Sequence, residues 1–305
     1  MLIQSKALKK AARFTLKRIV DAKWFREQLS DATRRGVIPE SIWKWVPVDI
    51  TFSVLLPDGS SFFYVGSSGD HIARRLFWGG LTHFDPMWKL FYRIARQSEV
   101  ILDIGANTGV YTLIACAANP KCKVIALEPV PRVFDRLQKN VAMNNLEDRV
   151  EARKEAVSNF VGSAQLAVPD EDCPVMSSLD LDDYVRMYQL KHLGLIDVPV
   201  TTIDNICDRT PTVNLVKIDV QGSEHLVIQG MQEVLTRAKP ALIVDYHQSC
   251  PRGAIESVLA EFGYLYFRVQ EGRLTRNSGM EDVGCYLAIT ADGFTRLEDR
   301  PPPTL

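Results

Sequence analysis

The residues best suited to chemistry in this chain are two glycines four positions apart and a carboxylate further along. Gly105 and Gly109 follow an apolar run at 100–104, and Glu128 closes the next apolar run at 124–127. Glycine has no side chain and tolerates positive φ, so the backbone at these positions passes close beneath a ligand. A carboxylate at the end of the next strand suits the two hydroxyls of a ribose. Together these features predict a nucleotide-binding loop.

The spacing of the loop indicates which nucleotide it binds. It reads Asp103-x-Gly105-x-x-x-Gly109, not the Gly-x-Gly-x-x-Gly of nicotinamide-binding proteins. We therefore predict S-adenosylmethionine as the cofactor, with Asp103 holding the ammonium group of its methionine part directly or through water. A generic dinucleotide loop or a structural turn is the alternative, and Glu128 fits either nucleotide. The predicted cofactor-binding residues are Asp103, Gly105, Ala106, Asn107, Thr108, Gly109, Glu128, Pro129 and Ala156.

Alternating apolar strands and amphipathic helices must position this loop. From residue 100 onward the pattern is typical of an α/β protein with a Rossmann-like, doubly wound sheet. Pro131 favours the start of a helix after the second strand. A polar stretch at 162–199 interrupts the alternation, and connections of that length are usually functional or mobile. Seven strands are predicted, the last two as an antiparallel pair: 100–104, 123–127, 150–154, 214–218, 241–246, 264–269 and 284–289.

The domain organisation follows from where this pattern begins and ends. Residues 1–95 are predicted to form an N-terminal extension, 96–292 the main domain and 293–305 a flexible tail. The extension begins with a basic amphipathic helix, which suits an anionic membrane but more often docks on its own domain or a dimer partner. A hairpin and the aromatic segment 77–92, which we expect to lie over the mouth of the sheet, complete it. Formation of a homodimer through this helix is therefore possible.

Composition excludes several classes of protein. The chain has 305 residues, 46% of them hydrophobic, which is enough for one large core. A net charge of -1 gives no basic field for nucleic acid. Six cysteines without CxxC pairs indicate reduced thiols and no zinc site. With no secretion signal and no long uncharged apolar stretch, we expect a cytoplasmic protein without a transmembrane segment.

Four stretches of the chain carry a resemblance to a known family. They are Leu102-Asp-Ile-Gly-Ala-Asn-Thr-Gly109, Glu128-Pro-Val-Pro131, Val200-Thr-Thr-Ile-Asp204 and Val216-Lys-Ile-Asp-Val-Gln-Gly-Ser-Glu224. The chain resembles the FkbM family of S-adenosylmethionine-dependent methyltransferases. The resemblance implies a class I methyltransferase fold and O-methylation of a small molecule, commonly a sugar or a polyketide-like product. The chain departs from the family pattern at Gln221 and Asp245, where glutamate is usual, which concerns substrate-side contacts.

The acceptor side of the site is predicted from the strand 214–218. Asp219 would emerge from its carboxyl end and face the methyl group. Enzymes that methylate amino groups often carry Asn/Asp-Pro-Pro-Tyr/Phe there, and this chain does not. An oxygen acceptor is therefore favoured, in the form of a hydroxyl on a small molecule. His247, after the strand 241–246, lies at the same rim, and its neutral imidazole suits removal of the hydroxyl proton. The predicted catalytic residues are His247 and Asp219.

Four further residues are predicted to contact the substrate. Lys217 shares a strand face with Asp219, where a charge-paired lysine is the usual arrangement. Glu224 begins the next helix and serves equally well as a partner of the helix dipole. Gln221 and His83, the latter in the covering segment, complete the set. Three acidic or imidazole groups on two strand ends are weak grounds for a divalent ion, so no metal is predicted.

Two other functions remain open at this point. An RNA methyltransferase is one, because a helix ending Met143-Asn-Asn-Leu146 also occurs in such enzymes. It needs a basic, aromatic surface, for which the composition offers only the N-terminal helix. A non-catalytic module that retains the fold to bind a partner is the other. The intact Asp103, Gly105 and Glu128 argue against it.

Overall fold

The structure is a computed structural model that describes most of the chain after the N-terminal region. It divides into two compact units: unit 1 takes its residues from 1–54 and 63–85, and unit 2 from 55–62 and 86–305. The predicted N-terminal helix and the last residues of the tail lie outside the described part. The described residues are 33, 39, 43, 46–67, 69–81, 85, 87–169, 193–208, 212–251, 253–270, 273–280 and 282–298.

The predicted hairpin is confirmed as β1 (Thr51–Leu55) and β2 (Ser61–Val65), which form a two-stranded sheet. Helix α1 (His71–Arg74) follows, capped by the Asp70 carboxylate, and runs into a π-helical turn, Arg75–Gly79. In unit 1 the ring of Phe77 lies edge-on to both Phe52 and Trp78. Buried aromatic rings thus contribute to the apolar packing of the described part of this unit. That the aromatic segment 77–92 lies over the mouth of the sheet remains a prediction.

The main sheet of unit 2 contains eight strands among the described residues: β3 (Val100–Ile104), β4 (Lys123–Leu127), β5 (Val150–Arg153), β9 (Leu215–Ile218), β10 (Ala241–Tyr246), β11 (Tyr264–Gln270), β12 (Arg273–Asn277) and β13 (Gly284–Thr290). Their order across the sheet is β12-β11-β13-β10-β9-β3-β4-β5. The five strands from β10 to β5 are parallel, and β13 runs antiparallel to both β10 and β11. This is the predicted doubly wound, Rossmann-like architecture.

The prediction of seven strands was one strand short. β12 pairs with β11 as a hairpin at the edge of the sheet. Its sequence is polar and its side chains are mostly exposed, so it lacks the apolar alternation by which strands are found. Such a charged edge strand discourages further pairing with other chains.

Helices pack on the sheet and bury its central strands. The described helices of unit 2 are α2 (Trp88–Ala95), α3 (Val110–Ala118), α4 (Pro131–Met143), α5 (Ile203–Ile206), α6 (Glu224–Gln229), α7 (Gln232–Arg237), α8 (Ala254–Leu259) and α9 (Ala291–Glu298). α3 begins directly after Gly109, whose φ of 87° is left-handed. α9 includes residues that were assigned to the tail.

Two short helices follow β9. Val227, Met231 and Val234 are buried, and α6 ends at Gln229 while α7 starts at Gln232. Gly230 lies between them, and a Cβ there would be 2.2 Å from the carbonyl oxygen of Ser158. The backbone of the neighbouring turn therefore requires glycine at this break.

A second, three-stranded sheet occupies the ends of the predicted polar insertion. β8 (Leu193–Thr201) pairs with β7 (Gly162–Pro169) and with the short β6 (Ala156–Val157). Burial alternates in β8, where Val198 and Val200 are buried, whereas the last four residues of β7, 166–169, are all buried. The stretch 162–199, predicted as polar, therefore has strands with buried apolar residues at both of its ends. Residues 170–192, the middle of this stretch, lie outside the described part.

Candidate functional site

The loop between β3 and α3 has the backbone geometry that its glycines require. Gly105, Asn107 and Gly109 all have positive φ, at 72°, 50° and 87°. The amides of Gly105 and Ala106 donate to the carbonyl of Leu127 at 3.0 and 2.9 Å, which ties the loop to β4. A Cβ on Gly105 would lie 1.9 Å from the carbonyl oxygen of Asp219, so no other residue fits there.

Glu128 lies directly beside this loop. Its Oε2 accepts a hydrogen bond from the Asn107 amide at 3.0 Å, and its Oε1 accepts from the Val130 amide at 2.9 Å. Burial raises the pKa of Glu128 to about 7, although these amides and Lys217 oppose the shift. Each oxygen keeps a second lone pair. The carboxyl group is thus fixed in place and still able to accept from a ligand.

A cleft opens at the carboxyl ends of β3, β4 and β9. This is the edge at which open α/β sheets bind ligands. Polar groups converge on one part of it and apolar side chains line the rest. The lining residues are Ile104, Gly105, Asn107, Leu127, Glu128, Pro129, Glu155, Ala156, Val157, Leu166, Asp219, Val220, Gln221 and Ser223.

A buried group of charges lies beneath the cleft. Lys217 Nζ is 3.6 Å from Asp103 Oδ1 and 3.5 Å from Asp219 Oδ2, and it donates to the carbonyl of Gly105 at 3.3 Å. Asp103 is fully buried, and its Oδ2 accepts from both the amide and the hydroxyl of Thr112. Lys217 is thus the charge-paired lysine that was expected, and it connects the loop after β3 to Asp219.

The turn after β9 is strained and tightly bonded. Gln221 and Gly222 both have positive φ, 57° and 114°. Gln221 Nε2 donates to Asp219 Oδ1 at 2.7 Å, so both oxygens of that carboxylate face donors of the chain. The Gly222 amide donates to Glu224 Oε1 at 2.8 Å. Asp219 is therefore oriented by its own turn.

His247 lies next to this turn. Its Nδ1 is 2.8 Å from Ser249 Oγ and accepts from the Ser249 amide at 3.3 Å. Because a backbone N–H can only donate, Nδ1 carries the lone pair of the neutral ring in this arrangement. Burial lowers the pKa of His247 below 6.5, and the nearby Asp219 opposes the shift.

The structure brings most of the predicted site residues together. Some of them line the cleft, and others are buried beneath it and support its backbone. Gly105, Asn107, Glu128, Pro129, Ala156, Asp219 and Gln221 line the cleft. Four predicted cofactor residues do not: Asp103 and Thr108 are fully buried, and Ala106 and Gly109 serve the backbone of the loop. Lys217 and Glu224 are buried beneath the rim, and His247 flanks it. His83 lies outside the described residues.

Sequence reasoning missed part of the wall of the cleft. Part of that wall is Glu155, just before β6, Val157 in β6 and Leu166 in β7. The turn after β9 adds Val220 and Ser223. Within the described residues, no three metal-binding side chains are grouped closely enough to hold an ion. No helix in the same part of the chain combines the length and apolar character needed to cross a bilayer.

A parallel sheet with a glycine loop and a strand-ending acid defines a nucleotide-binding α/β protein. The sequence model of the Methyltransferase FkbM domain matches residues 103–266, more than half of the chain. The chain therefore belongs to the FkbM family of methyltransferases. Its sheet is the class I methyltransferase fold that the resemblance implied.

Individual relatives are distant. The chain is 24% identical over 209 residues to 31-O-demethyl-FK506 methyltransferase FkbM of Streptomyces tacrolimicus, covering 61% of this chain and 77% of that protein. It is 30% identical over 156 residues to 2-O-methyltransferase NoeI of Sinorhizobium fredii, covering 48% and 63%. A crystal structure of methyltransferase FkbM from Methylobacillus flagellatus matches with 16% identity and a TM-score of 0.43, covering 72% and 55%. The chain thus spans less than two thirds of the last two.

The buried charges give a prediction about stability. Lys217→Met leaves the fully buried Asp103 carboxylate without its lysine, which should cost about 3–5 kcal/mol of unfolding free energy. The double variant Asp103→Asn/Lys217→Met should regain most of that loss. Urea unfolding measures both, with exposed Lys123→Met as the control. A Lys217→Met loss no larger than that of the control would contradict the assignment.

Proposed function

We propose that this chain is an S-adenosylmethionine-dependent O-methyltransferase that acts on a hydroxyl of a small molecule. The observation that carries the proposal is the cleft, where Gly105, Glu128 and Asp219 meet at one edge of the sheet. Membership of the FkbM family supplies the reaction class. Residues 96–292 are proposed as the catalytic domain, with 1–95 as an extension to it.

The cofactor would lie along the cleft from Glu128 towards Asp219. The Glu128 carboxylate is placed to accept from both ribose hydroxyls, and the apolar Val157 and Leu166 suit a planar adenine ring. The backbone of Gly105 and Asn107 would lie close to the cofactor at the cleft. Asp103 is engaged by Thr112 and Lys217, so we propose that it shapes the loop rather than binding the methionine part directly.

The chemistry needs little from the protein beyond alignment. The sulfonium of the cofactor makes its methyl group electrophilic, so the acceptor oxygen must be held in line with the methyl carbon and the sulfur. Asp219, oriented by Gln221 and Lys217, is placed to accept a hydrogen bond from the acceptor hydroxyl. Proximity and exclusion of water contribute most of the acceleration.

Removal of the hydroxyl proton is assigned to His247 and Asp219. The basic nitrogen of His247 is Nδ1, which contacts the Ser249 hydroxyl. We propose that the proton passes to Nδ1 through Ser249, whose Oγ gives up its own proton as it accepts that of the substrate. The lowered pKa of His247 keeps its ring neutral at neutral pH.

An oxygen acceptor is favoured over nitrogen by two observations. The chain lacks the Asn/Asp-Pro-Pro-Tyr/Phe motif after β9. The names of two relatives, 2-O-methyltransferase NoeI and 31-O-demethyl-FK506 methyltransferase, place the methyl group on oxygen in those proteins. A near-neutral net charge of -1 gives no reason to prefer RNA.

The cofactor assignment predicts an effect of Glu128. Glu128→Ala removes charge-assisted hydrogen bonds worth about 1.5–3 kcal/mol, so S-adenosylmethionine should bind at least about tenfold more weakly. Because the pKa of Glu128 is raised to about 7 and ribose binds its ionised form, wild-type affinity should rise between pH 6 and 8. Glu128→Gln should remove that rise. Calorimetry with exposed Glu147→Ala as control tests both, and unchanged affinity in Glu128→Ala excludes the ribose role.

The acceptor assignment predicts the product. The protein is incubated with methyl-labelled S-adenosylmethionine and fractionated small-molecule extracts, and with total RNA in a parallel sample. Mass spectrometry and NMR should identify an O-methyl ether in a small-molecule fraction. Gly105→Val, whose side chain would clash with the carbonyl oxygen of Asp219, is the inactive control. Label on an amine, or only on RNA, would overturn the assignment.

The proton path predicts a large effect on rate with the identified acceptor. A positioned base contributes about 10²–10⁴ in rate, so His247→Ala should lower kcat by two or more orders of magnitude. Asp219→Asn and Ser249→Ala should lower it as well, with cofactor affinity nearly unchanged in His247→Ala. In the wild type, protonation of the ring should lower kcat at saturating S-adenosylmethionine as the pH drops below about 6.5. Near wild-type turnover in His247→Ala would place the base elsewhere.

A further inference from the structure

Glu224 is a buried acid at the start of α6 for which the proposed reaction has no direct use. Its side chain is fully buried and does not line the cleft. One carboxyl oxygen, Oε1, accepts from the Gly222 amide at 2.8 Å. The other, Oε2, has no hydrogen-bond partner among the described residues. Burying such a group is costly, so its retention calls for a physical reason.

The Gly222 amide belongs to the turn 219–223, which needs to be held. Gln221 adopts a φ of 57°, a conformation uncommon outside glycine, and Gly222 follows at 114°. Strained residues persist only where their surroundings hold them. The same turn carries the Asp219 and Gln221 side chains at the cleft, and its Asp219 carbonyl packs against Gly105.

We propose that Glu224 is a positioning residue that stabilises the turn 219–223. Through this turn it fixes the orientation of the Asp219 side chain and the packing of the loop at Gly105. Its importance for methyl transfer rests on the proposed function. The effect on the turn itself is a property of the protein without substrate. The two can therefore be tested separately.

Protonation should modulate this hold. Burial raises the pKa of Glu224 to about 7, with smaller contributions from the carboxylates of Asp219 and Asp245, while the amides of Gly222 and Glu224 oppose the shift. The Cys250 thiol, in contact with His225, also lies beside Glu224. When the turn opens, Glu224 meets water and its pKa returns towards its ordinary value of 4.5. The closed turn thus binds more protons between these two values.

The sign of the effect follows from that difference. The contribution of Glu224 to closing the turn is complete below about pH 4.5, and it is lost progressively as the pH rises through about 7. Hydrogen exchange of the turn amides, followed by mass spectrometry on the full chain without ligand, reports this opening. After correction for intrinsic exchange, wild-type protection at 219–223 should fall about tenfold or more from pH 5.5 to pH 8.

Two variants separate the proton effect from the hydrogen bond. Glu224→Gln keeps an oxygen for the Gly222 amide but cannot titrate, so its protection should change less than about threefold over the same range. Glu224→Ala removes the acceptor and should be at least about tenfold less protected than Glu224→Gln at pH 5.5. Glu233→Gln, an exposed acid in the first turn of α7, should keep the wild-type profile. The β4 segment is the internal reference.

The outcomes decide the proposal whether or not every variant folds. The same pH profile in Glu224→Gln and wild type would show that Glu224 does not control the turn. Equal protection in Glu224→Ala and Glu224→Gln would show that the hydrogen bond from the Gly222 amide does not hold the turn. S-adenosylhomocysteine binding, measured by calorimetry, should weaken at least about fivefold in Glu224→Ala relative to Glu224→Gln. If the wild type itself fails to bind, the proposed function fails, and the exchange result on the turn still stands.

Discussion

The arrangement of the whole site depends on how closely the backbone of Gly105 approaches that of Asp219. A Cβ at residue 105 would lie 1.9 Å from the Asp219 carbonyl oxygen. β3 and β9 are neighbouring parallel strands, so their carboxyl ends emerge side by side. The contact between the segments that follow them is then made by backbone. Since backbone cannot change rotamer, the two segments are fixed relative to each other more firmly than side chains would allow.

Buried charge reinforces this contact. Lys217 connects Asp103, Asp219 and the Gly105 carbonyl from below, and Glu224 bonds the next residues of the turn. Such pairs add little net stability because their desolvation is costly, but breaking one is expensive. Their effect is to allow one arrangement of the loop and the turn. The pKa values of Glu128 and Glu224, both raised to about 7, are consequences of the same burial.

The three-stranded sheet extends the cleft beyond the main sheet. Val157 and Leu166 add an apolar wall from this second sheet to the cleft at the carboxyl ends of β3, β4 and β9. The turn at Ser158 packs against Gly230 so closely that a Cβ would be 2.2 Å away. The break between α6 and α7 thus permits the second sheet to dock on the helix layer of the first. Apolar wall and polar edge together form the kind of pocket that small molecules occupy.

The sequence by itself determined the parallel strands of the main sheet and their order along the chain, because apolar periodicity and glycine placement are local properties. β3, β4 and β10 begin and end at the predicted residues, and Gly105 and Glu128 meet as expected. Only the tertiary structure decided which side chains face the cleft. Asp103 and Glu224 were predicted to touch ligands, yet both are buried against their own chain. Similarly, Leu166 reaches the cleft although it is far from the glycine loop in the sequence. Burial and long-range pairing depend on residues distant in the chain, and no local pattern records them.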